Sequence, residues 1–559
     1  MLPALWLAML LVLRIVAVRA TYGISVTFLN QQDRWLLLLD LALAGLALAP
    51  WWRWPRIPPW SLRHVVVLAV VVAIACYAGH VWLLSGYDLS RDEQMAVFDT
   101  RIYATGAMAW PIPPAWRGDA DALNLLFMLP VEHPVAWVSA YLPGNSVIRA
   151  AVGMIADPAW TNPLLTGGTL IAVWGVARRM WGDTPSSAAL AVALLALSGQ
   201  VVFTGMTAYA MPAHLFFNMV WLWLFLADRR GSDLAALAVG FVAIGLHQPL
   251  FHPMFVAPWL ALLLWQRRWG RLALYTVPYA GFGLFWLAWP QINTLPRVMG
   301  PGSVRDVGAD ILSRLIDTLG SNQDNLSLMA CNLLRFCTWQ AVPMVPLIIA
   351  GLYAIWRARH RDPRGLALAA GLILPVVVMA AILPYQGHGF GYRYLHQVLG
   401  NAALIAVIGW RAIAPWHARL RPVLAVALIG SVAALALQGW MLHRLYGVFA
   451  RESAAITATH ADYAVIGAED GPYALDLVLN RPDLSNRPIR LSAGDIDDAD
   501  ALAARLCRGG GVSVALPVDA FFGEADALFG RASSHQASGR FEEARTAFES
   551  AGCSVSPLR

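Results

Sequence analysis

Long apolar runs alternate with short polar connections from residue 3 to about residue 442. Read by length, the runs predict about thirteen membrane-spanning helices. They fall at roughly 3–20, 35–50, 65–84, 163–178, 187–204, 213–227, 234–250, 254–266, 271–290, 339–356, 365–384, 396–414 and 422–442. The first run lacks a basic leading segment and a small-residue cleavage site, so it reads as a first helix and not as a signal peptide. The connections differ in kind. WWRWPRIPPWSLRH, ARRMWGD, ADRRGSD, QRRWGR, WRARHRDPRG and PWHARLRP are short and basic, whereas 86–162, 291–338 and the tail after 443 are long or acidic. The positive-inside rule assigns the basic set to the cytoplasm. That places the N terminus inside, and the two long loops and the C terminus outside.

Long loops are usually functional. In the first, SRDEQMAVFDTRIYATG (90–106) predicts a helix, with Ser90 and Glu93 spaced as a capping box. Met95, Phe98 and Ile102 form an apolar stripe expected to lie on the membrane surface. The second, with Gly300, Gly302 and Gly308, is expected to be mobile. The tail changes character. DYAVIGA and GVSVALP read as strands, ADALAARLC and FEEARTAFESAG as helices, which predicts a small α/β domain. Cys507 and Cys553 lie there and could pair in an oxidising compartment; the sequence leaves this open. Cys331 and Cys337 lack metal-ligand spacing and read as structural.

Composition sharpens the class. The chain is 58% hydrophobic and 13% charged, about half the charge of an ordinary soluble domain. The expected fold is an all-α polytopic membrane protein with a small C-terminal α/β extracytoplasmic domain. The divisions are 1–64 for two N-terminal helices, 65–442 for the main membrane domain and 443–559 for the tail. The 40 basic residues are all Arg, which excludes a Schiff-base lysine. They are spread between apolar runs, so the net charge of +6 is no nucleic-acid signal.

Asp92 and Glu93 stand beside the membrane, where acids are costly and default to a functional reading. A carboxylate there can act as general base towards a hydroxyl. Glu93 as a helix cap and Asp92 as a complement to the helix dipole is the competing account. Arg91 and Arg101 flank the pair, and Glu132 and Tyr141 follow in the same loop. His247 and His252 sit in LHQPLFHP at the outer end of a run. Arg393 and Tyr394 sit in GYRYLHQVLG, with His388 nearby. Arginine suits bidentate phosphate contact; an arginine snorkelling among aromatic residues is the alternative. A divalent metal on His247, His252 and an acid is a further alternative.

SRDEQ, the stretch WVSAYLPGNSVIRAAVGMIADPAWTNPLL and GYRYLHQVLG occur in an order and spacing that resembles the GT-C superfamily of membrane glycosyltransferases. The nearest branches are the protein O-mannosyltransferases and the lipid A aminoarabinose transferases. The resemblance covers roughly 65–414. It implies a seven-helix core, with Asp92 as the catalytic acid, Glu93 as its neighbour, Glu132 at a second acidic position and Arg393 on the donor phosphate. Departures are the two helices before the core, Leu142 in place of a proline, and the absence of any lysine. The implied activity is inverting transfer of a sugar from a polyprenyl-phosphate donor to a glycan, lipid or protein acceptor, on the periplasmic face of a bacterial inner membrane. A transporter or flippase of lipid-linked saccharides is the competing class, and a non-catalytic envelope assembly protein the third. Inverted repeats and midplane charges would mark a transporter; no repeat is visible, and the candidate site charges sit at the outer rim.

Overall fold

A computed structural model describes residues 2–19, 24–47, 58–129, 131, 134–182, 184–298, 325–359, 362–518, 521–530 and 539–558. The expected apolar runs are helices. Among the described residues, four are long and apolar enough to cross a bilayer: Leu62–Leu83, Trp269–Val298, Pro363–Ile382 and Arg419–Ala458. A fifth candidate is the pair Asn325–Trp339 and Met344–Arg357, bent by 111°. Other expected spans form shorter apolar helices such as Met211–Phe225 and Phe251–Trp265. The run at 187–204 is broken where Ser198 caps a new helix, accepting from Val201 N. The outward face of Leu62–Ala78 exposes Val66, Val67, Val70, Val71 and Ile74, a surface suited to lipid and not to water. This is a multi-pass helical membrane protein.

Two expectations for the long loops change. Residues 325–338, assigned by sequence to a mobile loop, belong to the buried helix Asn325–Trp339. The reason is an ion pair the sequence hides: Arg335 Nε meets Asp33 Oδ2 at 2.8 Å, 1% and 0% exposed. The N-terminal segment thereby braces the bundle. Residues 299–324, including Gly300, Gly302 and Gly308, lie outside the described residues.

The second change concerns the stripe Met95, Phe98 and Ile102. It does not face lipid. These residues are buried in one core with Val465, Ile489, Leu491 and Phe548 of the tail. The tail forms a four-stranded parallel sheet, β3 (Tyr463–Ile466), β4 (Ile489–Ser492), β5 (Ser513–Pro517) and β6 (Ser554–Leu558), in the order β4-β3-β5-β6. A disulfide joins Cys507 and Cys553. Two short strands of the first loop, β1 (Trp110–Pro111) and β2 (Ala136–Trp137), pair antiparallel. Polar ties add to the shared core. Arg91 bonds Asp476 at 2.8 Å, Gln94 donates to the Asp476 carbonyl, and Arg505 pairs with Asp119. Loop and tail therefore occupy the same side of the bundle. The helix His417–Ala458 reaches the sheet without interruption. Its 42 residues span about 63 Å, twice the ~30 Å hydrocarbon core.

Candidate functional site

The stretch 90–103 folds as its pattern predicts. Ser90 Oγ accepts from Glu93 N at 3.3 Å, and Ser90 N donates to Glu93 Oε2 at 3.0 Å. This reciprocal cap starts the helix Arg91–Tyr103. Neighbouring helical residues project about 100° apart, and the two acids part accordingly. Glu93 turns into the protein, where Tyr446 donates to it at 3.3 Å. Asp92 turns into a cleft. Of the two acids grouped by the sequence, Asp92 lines the cleft and Glu93 caps the helix that carries it.

Glu93 carries a measurable signature of that role. Burial, with the Asp88 charge adding, pushes its carboxyl up to about 8 against the Ser90 and Tyr446 hydrogen bonds. Between its ordinary 4.5 and about 8, the folded chain keeps this proton and the unfolded chain releases it. Stability then falls as pH rises through that window. Glu93→Gln keeps the cap and has no proton to lose. Its unfolding midpoint in detergent should fall less steeply from pH 5 to 8 than that of the wild type, the rest of the decline coming from groups such as Asp99, also raised to about 8. An unchanged decline would assign the titration to another group.

Arg393 comes from the far end of the chain. Gly391 has φ +62, and a Cβ on it would lie 2.5 Å from Gln200 Oε1, so only glycine fits this turn. Gln386 Oε1 accepts from Arg393 N at 2.9 Å, and Arg393 Nη1 donates to the His388 carbonyl at 2.8 Å. The guanidinium lies over the rings of Tyr209 and Tyr394. Arg335, held by Asp33, donates to the adjacent Gly389 carbonyl. These contacts leave Arg393 Nη2 2.7 Å from Asp92 Oδ2. Tyr141 donates to Asp92 Oδ1 at 2.5 Å.

The second wall forms where the YLPG stretch pairs with residues 245–247. Leu142 N bonds the His247 carbonyl, and Gly144 N the Gly245 carbonyl at 2.8 Å. A Cβ on Gly144 would fall 2.6 Å from that oxygen, which accounts for its glycine. The His247 ring consequently lies 3.9 Å from the Tyr141 ring.

The result is an open cleft with Asp92, Tyr141, His247, Arg393 and Tyr394 among its lining residues. Burial raises the Asp92 carboxyl, but Arg393, His247 and the Tyr141 hydrogen bond outweigh it, and the net shift is downward. Burial lowers His247 to about 4. At neutral pH the site therefore holds an ionised Asp92, its arginine counter-ion and a neutral imidazole. Asp99, two turns along the same helix, also lines the cleft. Burial pushes it up to about 8 against a Ser139 hydrogen bond, so it is mainly protonated.

The remaining sequence candidates lie elsewhere. Arg91 is engaged by Asp476. Arg101 is exposed in the last helical turn. His388 contributes its carbonyl to Arg393, while its ring faces Asp476 at 3.5 Å. Glu132 lies outside the described residues. His252 is bonded at both ring nitrogens, to Asn218 and Tyr279, so it has no lone pair free for a metal shared with His247. Among the described residues no group of three or more His, Cys, Asp or Glu side chains could hold a metal ion. Sequence reading missed Asn145, Tyr209, His214 and Gln397. His214 is one polar residue in an apolar stretch, whereas Asn145 and Gln397 sit beside Ser146 and His396 inside stretches already singled out for other residues.

No family model matches the chain, and no curated protein matches it. Among solved structures it is similar to ArnT from Cupriavidus metallidurans bound to undecaprenyl phosphate, with 13% identity over 89% of this chain and 90% of that one, at a TM-score of 0.47. It is similar to the apo state of ArnT from the same organism at 12% identity, over 75% and 85% of the two chains, with a TM-score of 0.46. AglB, the oligosaccharyltransferase of Archaeoglobus fulgidus in complex with an inhibitory peptide and a dolichol-phosphate, matches at 12% identity over 76% of this chain and 60% of that one, with a TM-score of 0.39. These neighbours are GT-C superfamily membrane glycosyltransferases.

Proposed function

We propose that the chain is an inverting glycosyltransferase that moves a sugar from a polyprenyl-phosphate donor to an acceptor hydroxyl on the periplasmic face of a bacterial inner membrane. One observation carries this reading. Asp92 and Arg393, 301 positions apart by their numbers, form a 2.7 Å ion pair inside a cleft on the side of the bundle that carries the first loop. The reaction needs a base for the acceptor and a cation for the departing phosphate, and the pair supplies both. The acceptor oxygen forms a bond to the anomeric carbon and passes its proton to Asp92. The bond from that carbon to the phosphate oxygen breaks, and the phosphate leaves with its lipid, its charge held by Arg393. With no enzyme nucleophile, this single displacement inverts the anomeric centre.

The ion pair also couples the two steps. Against burial, Arg393 helps hold the Asp92 carboxyl below its ordinary value, which makes it a weaker base. A donor phosphate competes for the same guanidinium. As Arg393 turns to the phosphate, Asp92 loses its counter-ion and gains basicity. The base is then released when the donor is bound. The test is turnover of a polyprenyl-phosphate sugar by purified protein, followed as release of polyprenyl phosphate.

Orientation has its own test. Gly118 lies in the first loop and Gly231 at a basic connection, and both have open space where a Cβ would go. In intact spheroplasts, Gly118→Cys should react with an impermeant thiol reagent and Gly231→Cys should not. The reverse labelling would put the cleft in the cytoplasm and remove the periplasmic assignment.

A further inference from the structure

One wall of this cleft carries polar groups without partners. His214 is 2% exposed and has no hydrogen bond at either ring nitrogen. Gln397, 3% exposed, has none at either end of its amide. Asn145 uses its amide nitrogen on the Ala208 carbonyl and leaves Oδ1 unpaired. All three line the same cleft. Buried polar groups are nearly always paired, and each exception calls for an explanation. Here five unpaired atoms come from three separate segments and meet at one cavity. Phe251 stacks on Tyr394 at 6.2 Å and adds an apolar floor.

Resting on the transferase reading, we infer that this wall is the sugar subsite and that it takes an uncharged, polyhydroxylated sugar, not an amino sugar or a uronic acid. The unpaired atoms are both donors and acceptors, as hydroxyl groups require. They are amides and an imidazole, none of them a fixed charge. Arg393 matches Asp92 until the donor phosphate takes the guanidinium; Asp92 must then stay free for the acceptor proton, and Asp99 is largely protonated. A sugar ammonium could pair only with Asp92, and would then occupy the base. A sugar carboxylate would compete with the donor's own phosphate for Arg393. A charge held among these amides and the imidazole alone would be desolvated without a counter-ion, which costs far more than leaving a hydroxyl unpaired. Aromatic floors with a few uncharged polar groups are also what a largely apolar pocket uses to orient a neutral ligand.

The test compares polyprenyl phosphate alone, the same lipid carrying a neutral hexose, and the same lipid carrying an amino sugar. The wild type should transfer the hexose at least about tenfold better than the amino sugar. Gln397→Met should lower kcat/KM for the hexose roughly tenfold or more and leave binding of bare polyprenyl phosphate unchanged, which also reports an intact fold. Asn145→Leu should repeat that split if Gln397→Met fails to fold. Gln397→Glu should narrow or invert the preference by supplying a carboxylate to the ammonium. A wild type that prefers the amino sugar, or folded Gln397 and Asn145 variants with unchanged hexose kcat/KM, would overturn the subsite and leave the transferase reading intact. A wild type that neither binds polyprenyl phosphate nor transfers either sugar would overturn both.

Discussion

Asp92→Asn should lose transfer by roughly 10²–10⁴-fold while polyprenyl phosphate still binds. Asparagine has nearly the shape of aspartate and keeps an oxygen for the Tyr141 hydroxyl, which donates at 2.5 Å in the wild type. It cannot take a proton from an acceptor. It also leaves Arg393 without the carboxylate 2.7 Å away. Losing one partner of a buried pair costs about 3–5 kcal/mol, so the unfolding midpoint should drop. The remaining contacts of Arg393, with the His388 carbonyl and the rings of Tyr209 and Tyr394, should hold it in place. A guanidinium freed from its carboxylate is more available to phosphate. Affinity for polyprenyl phosphate should therefore be kept or raised, opposite in direction to turnover. Wild-type transfer by folded Asp92→Asn would remove the acid from the mechanism. Asp92 would then be the counter-ion of Arg393 and nothing more.

What the sequence discloses about this site follows from what a single residue can reveal. Asp92 is visible because a charge beside an apolar run is costly, whatever surrounds it. Glu93 shares that visibility, and only helical rotation separates the two roles. The capping-box spacing from Ser90 already contained that rotation; the adjacency of two acids obscured it. The stripe Met95, Phe98 and Ile102 was read with the right period and the wrong cover. Periodicity gives a face, not what packs on it, and here a sheet some 370 residues later covers it. The helix Asn325–Trp339 looked like a loop because of its Asn, Ser, Thr and Arg residues. Its Arg335 is paired with Asp33, 302 positions away, and no local window shows both. In the tail, β3 and β5 stood out as apolar runs. β6 did not, since SVSPL contains Pro557 and sits at the sheet edge, where proline is tolerated. His214 is one polar side chain in a greasy stretch and Gln397 stands beside His396 in a stretch noted for Arg393, and only their convergence on a cavity gives them meaning.

Arg393→Lys should fail in the complementary way, losing donor affinity first. Lysine keeps the charge but replaces a planar five-donor fork with a point charge. It cannot reach the His388 carbonyl and Asp92 together, as Arg393 does at 2.8 and 2.7 Å. A hydrogen bond to a charged group contributes about 1.5–3 kcal/mol, so binding of polyprenyl phosphate should weaken by roughly ten- to a hundredfold. Turnover at saturating donor should fall less than affinity. Arg393→Ala isolates the second function of the residue. Without the guanidinium, burial dominates at Asp92 and its carboxyl rises from a value held below 3.8. Activity needs the ionised form, so its loss on acidification should begin at higher pH in Arg393→Ala than in the wild type. In the free wild-type enzyme the Asp92 limb lies below pH 3.8; the acid limb of kcat/KM in the variant should move into the range accessible to assay. Coincident acid limbs would show that Arg393 does not set the charge of Asp92. Unchanged binding of polyprenyl phosphate in both variants would leave Arg393 as an aromatic-belt residue with no part in holding the donor.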